Sequence, residues 1–526
     1  MTPGSRAPRA APCVVFFLLL FVGGWLPGPA GAQDAPAAGA AVGAALPAEV
    51  QAVLDRPELA GAQVGLLLAE MPAGPGQPLE VILERGADLR FVPASNHKIV
   101  VAAAALEALG PGYRFRTELL APLPPGADGR IRGDLVLMSG GDPTLGEPFW
   151  TSAEGALEAL ADSAARAGLR RVDGVLRVDA TSWDSTTVPT GWLVGNLDRR
   201  YAATGGAFSV AMGELELEVS GGARPGDPAE VRWRPMGTAD FVENLAITGQ
   251  PGEATDLQVG YLPESRRWRV EGRIAPEARD QRLLAQRDPV RQAAHALLRA
   301  LESRGIVVTG GVEVDWPAAR SGATAGPAPG AAVGAAAAGR PPGLVRIAAL
   351  ESPSLPVVVE PILARSQNWM TEQLVRVMGA ELGREGNWDE GFRIVEETLV
   401  ARAGLAARDL HFRDGSGLAG YNLVTPRALA RILAWARFQP WGTEFQSGLA
   451  APGMPESTLE ARLGGLEGRV QAKTGTISHV NALSGYLVDD AGRERVFVLL
   501  TNAANHDAAP IRRALDDLVR IFASSP

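Results

Sequence analysis

Pro93-Ala94-Ser95-Asn96-His97-Lys98, continued by Ile99-Val100-Val101-Ala102-Ala103-Ala104-Ala105-Leu106-Glu107, is the stretch around which the chain is organised. A Pro-led turn puts Ser95 at the mouth of a mostly apolar, Ala-rich helix. Residues one helical turn apart share a face, so Lys98 stands beside the Ser95 hydroxyl. A serine hydroxyl is a poor nucleophile until its proton is removed. A lysine amine whose pKa is lowered by burial can remove it. The unpaired N–H groups at a helix start also favour negative charge next to Ser95.

A lone Ser-x-x-Lys is common on helices, and the lysine census is what sharpens it. Only two of the 50 basic residues are lysines, Lys98 and Lys473. A guanidinium does not deprotonate in proteins, so lysine is needed wherever arginine would fail as a base. The second lysine lies in Lys473-Thr474-Gly475-Thr476. A third element, Arg365-Ser366-Gln367-Asn368, opens a helix that contains Glu372.

Arg6 and Arg9, the apolar run from Val14 to Trp25 and the small-x-small site Ala30-Gly31-Ala32 read as a secretory signal peptide over residues 1–32. The run is short for a retained membrane span. The single cysteine, Cys13, would leave with it, and the exported chain would rely on its core rather than on disulfides. A net charge of −9 with scattered signs and no basic run argues against a nucleic-acid partner. The five histidines are scattered, with no metal-ligand spacing and no cofactor motif, so no metal or cofactor is expected.

Residues 33–46 read as a flexible lead-in. Strands are expected at Gln63 to Glu70 and Leu79 to Leu83, and again at Val480 to Val488 and Arg495 to Leu500. Between them, helices are expected at about Ser366 to Leu382, Asp389 to Ala403 and Pro426 to Phe438. Strands at both chain ends with helices between predict one domain made of residues 47–115 and 345–526. Residues 116–344 would be an insertion, with an inner part at about 183–275. A low-complexity Ala/Gly/Pro loop at 317–343 closes it.

With Ser95-x-x-Lys98, Ser366-x-Asn368 and Lys473-Thr474-Gly475 in that order, the chain resembles the penicillin-recognising serine DD-peptidases. More closely, it resembles the D-alanyl-D-alanine carboxypeptidase/endopeptidase family exemplified by penicillin-binding protein 4. Gly141-Asp142-Pro143-Thr144-Leu145, Pro189-Thr190-Gly191-Trp192, Asp414-Gly415-Ser416-Gly417-Leu418 and Asn422-Leu423-Val424-Thr425-Pro426 are similar to that family too. The resemblance implies an α+β fold. Its parts are an antiparallel sheet flanked by helices, an all-helical half, and large inserted, mostly-β domains. It also implies a secreted enzyme of the periplasm or extracytoplasmic cell wall, with peptidoglycan stem peptides as substrate, β-lactams as inhibitors and peripheral membrane association.

The resemblance further implies a role for each motif residue. Ser95 attacks the carbonyl of the penultimate D-alanine, and Lys98, kept neutral by the charge of Lys473 and by burial, takes its proton. Ser366 relays a proton to the leaving amine, and Asn368 orients Lys98 and the substrate amide. Lys473 and Thr474 hold the terminal carboxylate, and Gly475 admits the substrate backbone to the edge strand. The backbone N–H groups of Ser95 and Thr476 form the oxyanion hole. A β-lactamase would need an efficient deacylation base, and an inactive cell-wall binding protein would not need the intact Ser95, Lys98, Ser366, Asn368 and Lys473. His97, at an x position of its motif, points away from Ser95, and His479 is a strand-end residue. Asp142 is a turn-former, and Asp-Gly-Ser-Gly at 414–417 is a supporting turn, not part of a triad with His411.

Overall fold

The computed structural model describes residues 46–236, 241–317, 342–504 and 507–524. The signal-peptide and Cys13 readings, the lead-in up to residue 45 and most of the 317–343 loop lie outside the described residues.

One five-stranded antiparallel sheet joins the two chain ends. Its order is Val470–Ile477, Val480–Val488, Glu494–Asn502, Gln63–Glu70, Glu80–Arg85. Side chains alternate across a strand, and the central strands here have no solvated face. Leu66 and Leu68 enter a core with Val50, Ile511, Leu515 and Phe522 from the helices Ala48–Leu54 and Ala508–Ser524. Leu67 and Ala69 enter the opposite core, with the helix His97–Leu109 and the helical half of the domain. That helix is buried all round from His97 to Leu106, so it is a central pillar rather than an amphipathic surface helix. Its run of four alanines lets the helices Leu355–Leu363, Asn368–Leu382, Trp388–Ala403 and Pro426–Arg437 close in around it.

The helix begins at His97, two residues later than the sequence pattern places it. Ser95 sits in a single 3-10 turn, Ala94–Asn96, entered through Ala94 at φ 46. A left-handed alanine costs energy and survives only where the surroundings impose it, most often at a functional turn.

The chain leaves this domain and returns to it at one crossing, where Phe115 N donates to Ser352 Oγ (2.9 Å) and Ser352 N to the Phe115 carbonyl (3.0 Å). Beyond it lies a second five-stranded sheet, ordered Val312–Asp315, Leu176–Asp179, Leu135–Met138, Arg116–Ala121, Val345–Glu351. The helices Gly155–Arg166 and Pro289–Ser303 share a core with it. Val345–Glu351, expected at the start of the returning segment, is therefore an edge strand of the inserted sheet, and the return falls near Ser352. Within the insertion, two three-stranded sheets built from strands between Glu214 and Ala285 pack face to face, later in the chain than the 183–275 boundaries. The shift arises because Arg279–Ala285 is half charged and shows its strand character only through its pairing with Glu214–Ser220.

Candidate active site

The left-handed Ala94 and the turn after it leave Ser95 half-buried at the end of the pillar helix. The sheet strand carrying Lys473-Thr474-Gly475 runs alongside. A Cβ added at Gly475 would lie 3.0 Å from both Ser95 N and the Pro93 carbonyl, so only glycine fits at this approach without displacement. Gly475 pairs with Ala482 and Lys473 with Ser484, and Thr476 Oγ1 donates to Asn481 Oδ1 (3.2 Å).

Lys98 is fully buried, and its Nζ donates to three oxygens: Ser95 Oγ (2.9 Å), Asn368 Oδ1 (2.7 Å) and the Ser416 carbonyl (2.7 Å). Burial pushes its pKa down to about 7, while the carboxylates of Asp414 and Glu372 pull the other way. Of the two causes expected to keep Lys98 neutral, burial leads, and the charge of Lys473 is not the one that sets it. The mutual influence of the two lysines is felt at Lys473, also fully buried, which burial and then Lys98 hold well below its usual range. Lys473 Nζ donates to the Thr474 carbonyl (2.9 Å).

Two buried carboxylates hold the Asp414–Gly417 turn. Glu372, one turn beyond Asn368 on the same helix, accepts from Ser416 N, Gly415 N and Trp388 Nε1, each at 2.8 Å. Burial and the Asp414 charge push its pKa up to about 7, against these three donors. Asp414 accepts from Gly417 N (2.8 Å), Ala419 N (2.6 Å), Asn422 Nδ2 (2.6 Å) and Trp192 Nε1 (2.7 Å). The turn aims the Ser416 carbonyl at Lys98, and the triad arrangement with His411 is absent, since His411 pairs with Leu423 on a short strand.

The structure brings together Ser95, Lys98, Asn368, Gly475 and the Ser416 carbonyl. Ser366 lies half-buried on a left-handed turn (φ 62) just before the Asn368 helix; Asn368 makes the second-motif contact with Lys98. His97 turns away from Ser95, its Nδ1 3.0 Å from the Gly415 carbonyl, and His479 Nδ1 meets the Ala504 carbonyl at 2.9 Å. Asp142 accepts from Thr144 N (2.8 Å) and Oγ1 (2.7 Å), a self-contained turn in the inserted region. Sequence reasoning did not assign a site role to Glu372 or Trp192. The available signals were an acid set among Trp369, Met370 and Leu374 on a buried helix, and a tryptophan in a Pro-Thr-Gly turn. Among the described residues there is no cluster of three or more metal-ligating side chains and no helix long and apolar enough to cross a membrane.

A lysine buried against a serine, on a sheet closed by both chain ends and backed by helices, defines the fold of the penicillin-recognising serine peptidases. Penicillin-binding protein 4 (dacB) of Haemophilus influenzae matches it with a TM-score of 0.72 at 22% identity, covering 90% of this chain and 99% of that one. The structure of the same protein complexed with a β-lactam matches with a TM-score of 0.67 at 21% identity, over 91% and 100% of the two chains. Residues 46–325 and 329–522 match the D-Ala-D-Ala carboxypeptidase 3 (S13) family. The D-alanyl-D-alanine carboxypeptidase of Actinomadura sp. (strain R39) is 32% identical over 494 residues, 90% of this chain and 83% of that protein. The chain belongs to this family and is a serine peptidase.

Proposed function

We propose that this protein is an exported DD-carboxypeptidase/endopeptidase that cleaves D-Ala-D-Ala termini or D-Ala crosslinks of peptidoglycan stem peptides, and that β-lactams acylate it at Ser95. Residues 47–115 and about 352–526 would carry the reaction, in the periplasm or extracytoplasmic wall. The observation that carries this reading is the 2.9 Å hydrogen bond from a fully buried Lys98 amine to Ser95 Oγ.

In the proposed reaction Ser95 Oγ attacks the carbonyl of the penultimate D-alanine while Lys98 Nζ takes the hydroxyl proton. The oxyanion is held by the N–H groups of Ser95 and Thr476, which the close approach of Gly475 to Ser95 N supports. Collapse breaks the peptide bond, and the departing amine takes a proton delivered from Lys98 through Ser366. Lys473 and Thr474 receive the terminal carboxylate, and Asn368 keeps its Oδ1 on Lys98. Water then hydrolyses the Ser95 ester.

The test is incubation of the purified protein with a pentapeptide and with crosslinked muropeptides, reading products by mass, alongside labelling with a fluorescent penicillin. Release of D-alanine or of crosslink halves is expected, together with a label that persists for minutes to hours and is lost in Ser95→Ala. Rapid turnover of the label would instead indicate a β-lactamase, and absence of any label in the unmodified protein an inactive binder.

A further inference from the structure

Two of the three acceptors of Lys98 are themselves held by one loop of the inserted region. Asn368 Nδ2 donates to the Tyr201 carbonyl at 2.7 Å, which leaves Oδ1 facing Lys98. Trp192 Nε1 donates to Asp414 Oδ2 at 2.7 Å, and Asp414 organises the turn whose Ser416 carbonyl is the other acceptor. Trp192 is buried against Ala202 and Ala419, so the indole is a packed contact across the boundary between insertion and catalytic residues.

The loop is anchored at several points. Arg376, buried two turns beyond Asn368 on the same helix, donates to the carbonyls of Thr186 (3.1 Å) and Gly205 (3.0 Å) and to Asp184 Oδ1 (2.8 Å), which pins both ends of the loop. Asp198, in the middle, pairs with Arg287 at 2.9 Å, and its carbonyl accepts from Ala285 N. Residues 187–204 are thus fastened at both ends to the Asn368 helix and in the middle to the outer part of the insertion.

We propose that the 187–204 loop is a working part of the acyl-transfer site, in which Trp192 and the Tyr201 carbonyl are positioning groups for the base, Lys98. The inference rests on the assignment of Lys98 as the base. The groups facing Lys98 are His97 on its own helix, Glu372 on the Asn368 helix, Asp414 in the turn and Lys473 on the sheet strand. Of these, Asp414 is the one the loop touches. Its carboxylate has four N–H donors, and removing the indole donor leaves its negative charge less compensated. That favours the ammonium form of Lys98, so more alkaline conditions are needed to free the amine.

The experiment measures the rate constant of acylation by a chromogenic cephalosporin against pH in the full chain, its Trp192→Phe variant and its Asp198→Ala variant, with thermal melting as the folding control. Trp192→Phe keeps an aromatic ring but loses the N–H donor and part of the buried indole, and the small cavity this leaves acts on the melting temperature rather than on the pH profile. The rate at neutral pH is expected to fall about tenfold, with the rising limb of the profile moved to higher pH. Asp198→Ala, at a half-exposed site, releases the middle of the loop and is expected to shift the limb the same way by less. An unchanged profile in a folded Trp192→Phe protein, or a loss equal at all pH values, overturns the inference. If Trp192→Phe does not fold, Asp198→Ala decides by the same criterion. A flat profile in the unsubstituted protein would sink the base assignment itself, and this inference with it.

Discussion

The site and the insertion use charge in opposite ways. Lys98, Glu372, Asp414 and Lys473 are all buried, and their hydrogen-bond partners are the Ser95 hydroxyl, N–H groups, carbonyls and side-chain amides rather than opposing ions at ion-pair distance. In the insertion the charges lie half-exposed on or beside the strands and pair directly: Arg177 of the five-stranded sheet reaches Asp134, Glu313 and Asp315, and Arg130, on a short strand of a separate small sheet, reaches Asp173. Surface pairs of that kind contribute little to stability and keep a strand face solvated. Buried charges carry a desolvation cost that an apolar core would avoid, so their retention at one place points to chemistry rather than to stability. The difference teaches that the catalytic lobe is organised to hold one amine poorly solvated, while the insertion is organised to stay soluble around the loop that braces it.

The strongest way to break this comparison is to replace the amine. Lys98→Arg should lower the rate of acylation by about a thousandfold or more, as much as Lys98→Ala, because a guanidinium conserves the charge but cannot take the proton. Burst measurements with a β-lactam would show it, and retention of appreciable activity in Lys98→Arg would refute the base role. In the unsubstituted protein the same assay should show acylation rising with pH through about 7, since burial has moved the Lys98 pKa there and the free amine is the reactive form. A carboxylate comes next. Glu372→Gln places an N–H₂ opposite one of the N–H donors of Gly415 and Ser416. It should cost about tenfold to a hundredfold in acylation rate, with the melting temperature lowered as well.

A smaller effect sharpens the geometry rather than the charge. In Gly475→Ala the new methyl meets Ser95 N and the Pro93 carbonyl at 3.0 Å, so the Ser95 turn must shift by a few tenths of an ångström. Acylation should slow by about tenfold with little change in melting temperature. At the far end stands Arg130→Ala, on a short strand of a smaller sheet in the insertion. It removes an exposed pair with Asp173 and should leave the acylation rate unchanged and the melting temperature within about 2 °C. A large loss of activity there would mean that the surface of the insertion, and not only its 187–204 loop, supports the site.

Much of this was legible from residue order. Ser95 and Lys98 lie on consecutive turns, and a three-residue spacing puts them together whatever the rest of the chain does. The apolar strands at the two chain ends, the Ala-rich pillar and the Pro-started helix at Pro426 follow from composition and periodicity. Less was legible where a strand is charged: Arg279–Ala285 is recognisable as a strand only once its pairing with Glu214–Ser220 is known. The start of the segment returning from the insertion, expected at residue 345, was the harder boundary to read. Val345–Glu351 has the pattern of any half-buried strand, and only its pairing with Arg116–Ala121 assigns it to the inserted sheet.

By itself, the sequence determined which residue types supply the chemistry: one serine, two lysines among some fifty basic residues, and an asparagine at a helix start. Those are local facts of identity and spacing, and local geometry carries them. Tertiary structure alone decided that burial, more than the second lysine, lowers the Lys98 pKa, and that Glu372 holds the turn at Gly415 and Ser416. It also decided that Trp192 and Tyr201 reach the site across 222 and 167 residues of chain. Desolvation and the direction of a side chain are set by everything packed around it, and no periodicity in the chain encodes which distant loop will arrive there.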